Sequence, residues 1–354
     1  MRAVLRNLYR AHDMSESYEQ RVNDQIKQFK NPEVLKKLPE MHHQYMRKHI
    51  TPRVKDVFGV NSALQIYDSE FAKALNAGAD RKILSVGSGE CRVEANIATS
   101  LIRNGVDDFE FDCLELSPDR NQRAREMIEA EGLAAHFNIL EQDMNQWEPE
   151  HNYAGFMAHH VLHHIVDLEA LFASINACMS DTSVFVSIDM IGRNGHMRWP
   201  ESEALINAIW KTLPEKYKYN HQFQKLHPEF VNWDCAQRGF EGIRAEDILP
   251  LLITNFDCEK FLGYGNLPDM FVERGYGHNY DKNDPHDVTF IDSLALLNDF
   301  YLNSGYLKPS IMFSTWKKRG LVNEQDVSYY PCPPIDAVRE TDFSRNLFST
   351  SETA

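Results

Sequence analysis

The chain has 354 residues, of which 43% are hydrophobic and 25% charged, enough for one large α/β domain with additions or for two domains. Its formal charge of -15 argues against a general nucleic-acid binder, because neutralising phosphates requires clustered Lys and Arg and the overall potential has the wrong sign; only a local basic patch would reverse this. No apolar run is long enough to span a bilayer, and the N-terminal MRAVLRNLYRAHDMSESYEQ lacks the apolar core of a secretory signal, so a cytoplasmic protein without a membrane partner is expected.

In chain order, residues 1–80 carry helical periodicity, with apolar positions three and four apart in SYEQRVNDQIKQF and NSALQIYDSEFAKALNAG. From Arg81 the period changes. The short apolar runs KILSV, FDCLEL, YAGFMAHH and VFVSIDM alternate with helical stretches such as NQRAREMIEAEG and LEALFASINACM, which predicts a parallel sheet wound by right-handed crossovers. The stretch 192–242 interrupts this rhythm with Trp199, Trp210, Tyr217, Tyr219, Phe223, Phe230, Trp233 and Phe240. A helix in IRAEDILPLL, a strand in CEKFLGYG, a helix near FIDSLALLNDFYLNSG and a strand in PSIMFSTW then resume it. Residues 321–354 read as a tail, mobile or wrapped over the surface. The six cysteines contain no CxxC pair, so they suggest reduced thiols rather than a disulfide framework or a zinc–thiolate site.

The most informative short motif is VGSGE, which joins the strand KILSV to the helix CRVEANIATSLI. Gly87 and Gly89 expose main chain where ligands bind in doubly wound sheets, at the carboxyl ends of strands. A dinucleotide fingerprint would place a third glycine where Arg92 stands, which speaks against a nicotinamide-dependent oxidoreductase. The next strand ends in Glu115, placed to accept both ribose hydroxyls of a nucleoside. NILEQDM ends in Asp143 and Met144, an acid for an exocyclic amine and an apolar cover for the ring. Together the three strand ends suit one nucleoside.

In their order and spacing, VGSGE, LELS and EQDM resemble the class I S-adenosylmethionine-dependent methyltransferases, and HHVLHHIVDLEALF resembles the segment after strand four in small-molecule members. The resemblance covers about residues 80–320. It implies a doubly wound, mostly parallel Rossmann-like α/β sheet, here with N-terminal helices and an inserted helical and aromatic cap. It implies that Gly87, Ser88 and Gly89 meet the methionine part of S-adenosylmethionine, that Glu115 and Leu116 meet the ribose side, and that Asp143 and Met144 take the adenine. Glu90 is expected near the ammonium or sulfonium end and His160 in contact with the cofactor. N-terminal helices often close the cofactor site in such enzymes, which would bring Tyr18 or Tyr45 to it.

His159, His160, His163 and His164 form two i,i+4 pairs, but a strand reaching His160 makes them straddle a turn. They can be packed, cofactor-contacting or basic. A metal would need carboxylates such as Asp189 or Glu169, and none is assigned. The candidate bases are His163, His164, His196 and Asp189. The cap supplies candidate substrate contacts in Arg193, Trp199, Tyr219, His221 and Trp233, with Phe223 beside them; the same stretch can instead be helical core or a homodimer surface. The expected function is methyl transfer to a small-molecule hydroxyl, with N-methylation of an amine and a non-catalytic binding module as alternatives.

Overall fold

A computed structural model describes residues 18–29, 37–237 and 239–351. The expectations for residues 1–17, including the absence of a secretory signal, lie outside the described residues.

The apolar runs become strands buried on both faces, as central parallel strands are. In β1 (Lys82–Val86) every residue after Lys82 is buried, and in β2 (Glu110–Glu115) every residue after Glu110 is. With β3 (Phe137–Glu141), β4 (Tyr153–His159), β5 (Met179–Met190), β8 (Phe256–Tyr264), β9 (Ile311–Lys318) and β10 (Ser328–Tyr330) they form one eight-stranded sheet in the order 10-8-9-5-4-1-2-3. The run 3-2-1-4-5 is all parallel, with the order reversal between β1 and β4, the position at which doubly wound sheets bind ligands. β9 is inserted antiparallel between β5 and β8. The expected doubly wound, mostly parallel α/β sheet is therefore present.

Among the described residues, the α-helices before β1 are α1 (Tyr18–Phe29), α2 (Glu40–Tyr45), α3 (Thr51–Phe58) and α4 (Leu64–Ala77), with a π-helical stretch, Met46–Ile50, joining α2 to α3. The crossovers are α5 (Arg92–Arg103) after β1, α6 (Pro118–Ala130) after β2 and α7 (Leu168–Ala177) after β4. Ser117 caps α6 through its hydroxyl, with Pro118 in the first turn, so the chain turns into a helix immediately after Glu115. The sheet separates two apolar clusters. One contains Phe71, Ile83 and Phe111, and the other Phe156, Phe172 and Trp316.

The aromatic stretch is partly core. It contains α8 (Pro200–Thr212) and a two-stranded hairpin, β6 (Tyr219–Asn220) and β7 (Lys225–Leu226). Trp210 is 1% exposed, donates its indole N–H to the His227 carbonyl at 3.0 Å and meets Tyr276 edge-on. After α9 (Ala245–Asn255), β8, α10 (Asp269–Val272) and α11 (Pro285–Asn303) the chain returns to the sheet.

The segment read as a tail, mobile or wrapped over the surface, carries secondary structure between Glu324 and Ser351. β10 extends the sheet in parallel with β8, and the Arg53 guanidinium lies 4.4 Å from the Tyr330 ring centre. Two further helices follow, α12 (Pro334–Ala337) and α13 (Asp342–Ser351), the latter against α9. Composition rich in Pro and Ser concealed this, because β10 is only three residues long and its pairing is entirely long-range. None of the helices among the described residues is long and apolar enough to cross a membrane.

Candidate active site at the carboxyl ends of the strands

The turn after β1 is held open by two left-handed residues, Gly87 (φ 65°) and Gly89 (φ 61°). A Cβ on Gly87 would lie 2.2 Å from a Val161 methyl, so this glycine lets the turn pack against the loop that leaves β4. Cys91 takes the same hand of backbone (φ 56°) despite its side chain, and leads directly into α5. The Ser88 N–H donates to the Leu114 carbonyl at 2.9 Å, while its hydroxyl is buried without a protein partner.

Glu115 closes the turn from the neighbouring strand. It is 6% exposed, and its carboxylate accepts from the Gly89 N–H at 3.0 Å, the Ser117 N–H at 2.8 Å and the Arg120 guanidinium at 3.3 Å. Arg120 also lies over Gly89, whose Cβ would come 3.0 Å from the guanidinium. Sequence reasoning missed Arg120. Leu116 is half-buried beside them.

Glu90 follows the glycine turn and is half-buried. Its carboxylate pairs with Arg123 at 2.6 Å and Arg92 at 3.1 Å; burial works against its charge, but these guanidinium groups outweigh it and hold the carboxyl below its ordinary range. α5 and α6 thus both present arginines to the residue expected near a cofactor's cationic end.

β3 ends at Glu141, two residues earlier than expected. Asp143 caps the short turn Met144–Gln146, accepting from the Asn145 N–H at 3.0 Å, the Asn145 amide at 3.1 Å, the Gln146 amide at 3.1 Å and the Tyr18 hydroxyl at 2.7 Å. Four donors fill this carboxylate, so it is not the open acceptor the motif implies. Met144 is half-buried against the apolar cluster that includes Trp147. Tyr18 brings α1 over this edge and tilts against Phe240, with centroids 5.4 Å apart. Burial, with Asp143 beside it, raises the Tyr18 hydroxyl pKa well above its ordinary value. Arg21 fastens the same helix to the carbonyls of Gly239 at 2.7 Å and Ala236 at 3.3 Å. Tyr45, the other expected contact, is instead a core residue beside His49.

The second half of the site gathers around Asp189, fully buried at the end of β5. One carboxylate oxygen accepts from the N–H groups of Val161 at 2.9 Å and Leu162 at 2.7 Å; the other accepts from Met190 N–H at 2.8 Å and lies 2.5 Å from His163 Nδ1. Burial raises the Asp189 pKa, but His163 and these donors outweigh it and pull the group down to about 2. A carboxylate so occupied positions His163 and the β4 loop; it is not itself a free base. Burial disfavours charge on His163, yet Asp189 and Glu241 together push it up to about 10.

Glu241 is the residue that the sequence concealed. It lies between Gly239 and Gly242 at the end of the cap, and one of its oxygens sits 2.9 Å from His196 Nε2 and 3.5 Å from His163 Nε2. The other lies 3.7 Å from His164 Nε2. Burial opposes its charge, and the surrounding imidazoles hold its carboxyl far below the ordinary range. Burial and the neighbouring His163 lower His164 to about 3, so it stays neutral. Gly195 (φ 66°) donates its N–H to the Gly242 carbonyl at 2.8 Å, which brings the His196 and Glu241 segments together.

The four histidines thus divide. His159 faces the core, with Nδ1 3.1 Å from the Tyr67 hydroxyl, and burial lowers it to about 3. His160, in left-handed backbone (φ 52°), is solvent-exposed and lies edge-on to His159 with ring centres 5.0 Å apart; desolvation lowers its pKa. His163 and His164 turn towards Glu241.

The candidate substrate contacts scatter. Trp199 lies between two cations, with the Arg193 guanidinium 5.6 Å and the Arg339 guanidinium 5.2 Å from its ring centre, so α8 and the chain beyond α12 are joined there. Arg193 also donates to the Arg198 carbonyl at 3.1 Å. His221 lies 2.8 Å from the Asn279 side chain and edge-on to Tyr219. Tyr219, Phe223 and Trp233 are exposed, the last two edge to face at 5.7 Å. The structure gives Arg193, Trp199 and His221 protein partners.

No family model and no curated protein matches the chain. Among solved structures, the O-methyltransferase of a trans-AT PKS multienzyme of Brevibacillus brevis, in complex with S-adenosyl-L-homocysteine, is 12% identical, covers 80% of this chain and 83% of its own, and has a TM-score of 0.40. The N-methyltransferase NodS from Bradyrhizobium japonicum, also with S-adenosyl-L-homocysteine, is 8% identical over 85% of this chain and 99% of its own, with a TM-score of 0.40. The [4+2]-cyclase SpnF is 10% identical over 72% of this chain and 80% of its own, with a TM-score of 0.41. Similarity of this degree carries no argument about chemistry. The Rossmann-like α/β fold stands on the strand order itself.

Proposed function

We propose that the chain is an S-adenosylmethionine-dependent methyltransferase of class I that acts on a hydroxyl of a small molecule. The observation that carries this reading is a continuous path of contacts along one sheet edge: Gly87 packs on Val161, the Val161 N–H is held by Asp189, and Asp189 holds His163, which faces Glu241 and His196. A nucleoside-binding turn and a group able to take a proton are therefore built against each other.

The residues fit the cofactor on the ribose side. A carboxylate has about four acceptor positions, and the three donors on Glu115 leave one, with a second gained if Arg120 at 3.3 Å moves aside. The buried, unpartnered Ser88 hydroxyl faces the same turn's polar requirement. On the adenine side the fit lies with the apolar Met144 and Leu116, because Asp143 is filled. When bound, S-adenosylmethionine supplies an electrophilic methyl group that passes to the acceptor oxygen while the bonding pair remains on sulfur.

What the chain itself must do is hold the acceptor and take its proton. His163 keeps its own proton at neutral pH, being held between two carboxylates. The pair left for the acceptor is His196 with Glu241, half-buried and oriented at 2.9 Å. α1, fastened by Arg21 and Tyr18, covers the edge and limits water there.

Calorimetric titration with S-adenosylhomocysteine, followed by transfer of a labelled methyl group to a panel of small hydroxyl compounds, tests the proposal. Binding together with transfer supports it, and His196→Ala should then lower turnover while leaving S-adenosylhomocysteine affinity unchanged. Absence of binding would overturn it; binding with no transfer to any acceptor would favour a non-catalytic module.

A further inference from the structure

We propose that His163, His196 and Glu241 form a site for one divalent metal ion of the zinc class. Their ligand atoms come from three separate segments and lie within 4.8 Å of one another. Around an ion about 2.1 Å from each ligand, tetrahedral geometry separates the ligands by about 3.4 Å and octahedral geometry by about 3.0 Å. The observed separations from the Glu241 oxygen, 3.5 Å to His163 Nε2 and 2.9 Å to His196 Nε2, match that spacing. Two imidazoles and one carboxylate are the ligand set of catalytic zinc sites, which keep a further position open.

The support behind the ligands has the same character. Asp189 takes the His163 Nδ1–H, so Nε2 is the ring atom turned to the cluster, and an ion bound there takes the place of the Nε2 proton, as in carboxylate–histidine–metal arrangements. Asp189 is itself fixed by three main-chain N–H groups, so the ring has little freedom. On the other side, a Cβ on Gly242 would lie 3.1 Å from the His196 ring, and the Gly195 N–H to Gly242 carbonyl bond locks the two loops. The His163 side chain is 5% exposed, His196 19% and Glu241 33%, so the burial is graded towards one solvent-facing side.

That side is where a fourth ligand enters. Resting on the methyl-transfer reading, the fourth ligand is the acceptor hydroxyl, whose proton a bound divalent ion makes easier to lose to solvent on that side, His196 and Glu241 then serving as ligands in place of the base. The substrate class is then a hydroxyl compound able to coordinate a zinc-class ion.

The test uses the whole chain freed of metal by dialysis against a chelator. Zinc is titrated calorimetrically and cobalt by its visible absorption. One ion per chain is expected, and His196→Ala and Glu241→Gln should each weaken binding by more than the roughly 10- to 100-fold lost with an outer-shell partner. Unchanged melting temperatures would show that both variants are folded. Absence of a cobalt band, or zinc bound as tightly by Glu241→Gln as by the native chain, would overturn the site. S-adenosylhomocysteine titrated into the same samples separates the two readings: nucleoside binding in a chain that takes no ion removes the metal alone, whereas ion binding without nucleoside binding retains the metal and removes the methyltransferase.

Discussion

The two halves of the site are built in opposite ways. The glycine-turn half is local: Gly87 and Gly89 follow β1, Glu115 ends the adjacent parallel strand β2, and main-chain N–H groups supply most of the partners of Glu115. The histidine half is assembled from segments far apart in sequence, the β4 loop, the β5 end and the end of the cap, and its polar atoms are satisfied largely by other side chains. A site held by main chain tolerates loss of a single side chain better than one in which each charged group is the partner of the next.

The largest effect should come from Asp189→Ala, which leaves two loop N–H groups and a buried imidazole without their acceptor. Loss of about 3–5 kcal/mol of stability is expected, read as a fall in the urea midpoint, with turnover abolished. A stability change under about 1 kcal/mol would mean that the histidine half is less interdependent than described.

Next is Glu241→Gln. If its role is confined to that half, turnover should fall about 10²- to 10⁴-fold with S-adenosylhomocysteine affinity unaltered; a parallel loss of affinity would erase the division between the halves. In the other direction, Glu115→Ala should weaken S-adenosylhomocysteine by roughly 10- to 100-fold, since hydrogen bonds to a charged group contribute about 1.5–3 kcal/mol, and unchanged affinity would show that the ribose lies elsewhere.

Beneath the glycine turn, Glu94 is 3% exposed, bonded to the Ser85 hydroxyl at 2.6 Å, and raised by burial to about 7. Its folded pKa exceeds the ordinary value near 4.3, so folding favours the protonated form. Its contribution is complete at acid pH and is lost as the pH rises from about 4.3 through about 7. Urea midpoints at pH 5 and pH 8 should converge in Glu94→Gln relative to the native chain. The smallest effect is expected from Tyr18→Phe, which removes one hydrogen bond to Asp143, worth about 0.5–1.5 kcal/mol; a few-fold loss of S-adenosylhomocysteine affinity would place α1 over the nucleoside, and no change would leave it a packing helix.

Most of the sheet was legible because its signals are local. Apolar runs in KILSV and FDCLEL mark strands buried on both faces, and the helical stretches NQRAREMIEAEG and LEALFASINACM between such runs mark the crossovers. β10 was not, since three residues carry no periodicity and their pairing depends on β8, sixty-odd positions away. The same distinction governs the site. Gly87, Gly89 and Glu115 announce themselves through spacing along one chain segment, and His163, His164, His196 and Asp189 through their side-chain chemistry. What the spacing could not reveal is which atoms are already taken, as with Asp143 by its own turn and Tyr18, Glu90 by Arg92 and Arg123, or Trp199 between two guanidinium groups.

By itself, the sequence determined the class of fold and the position of the glycine turn and the acid beside it, because hydrophobic period, glycine conformation and strand length are properties of short segments. Only the tertiary structure decided that Glu241 stands between His163 and His196, that Asp189 orients one of them, and that α1 covers the edge. Those relations depend on loops separated by tens of residues meeting at angstrom distances, and a side chain's chemistry there depends on what has already bonded to it.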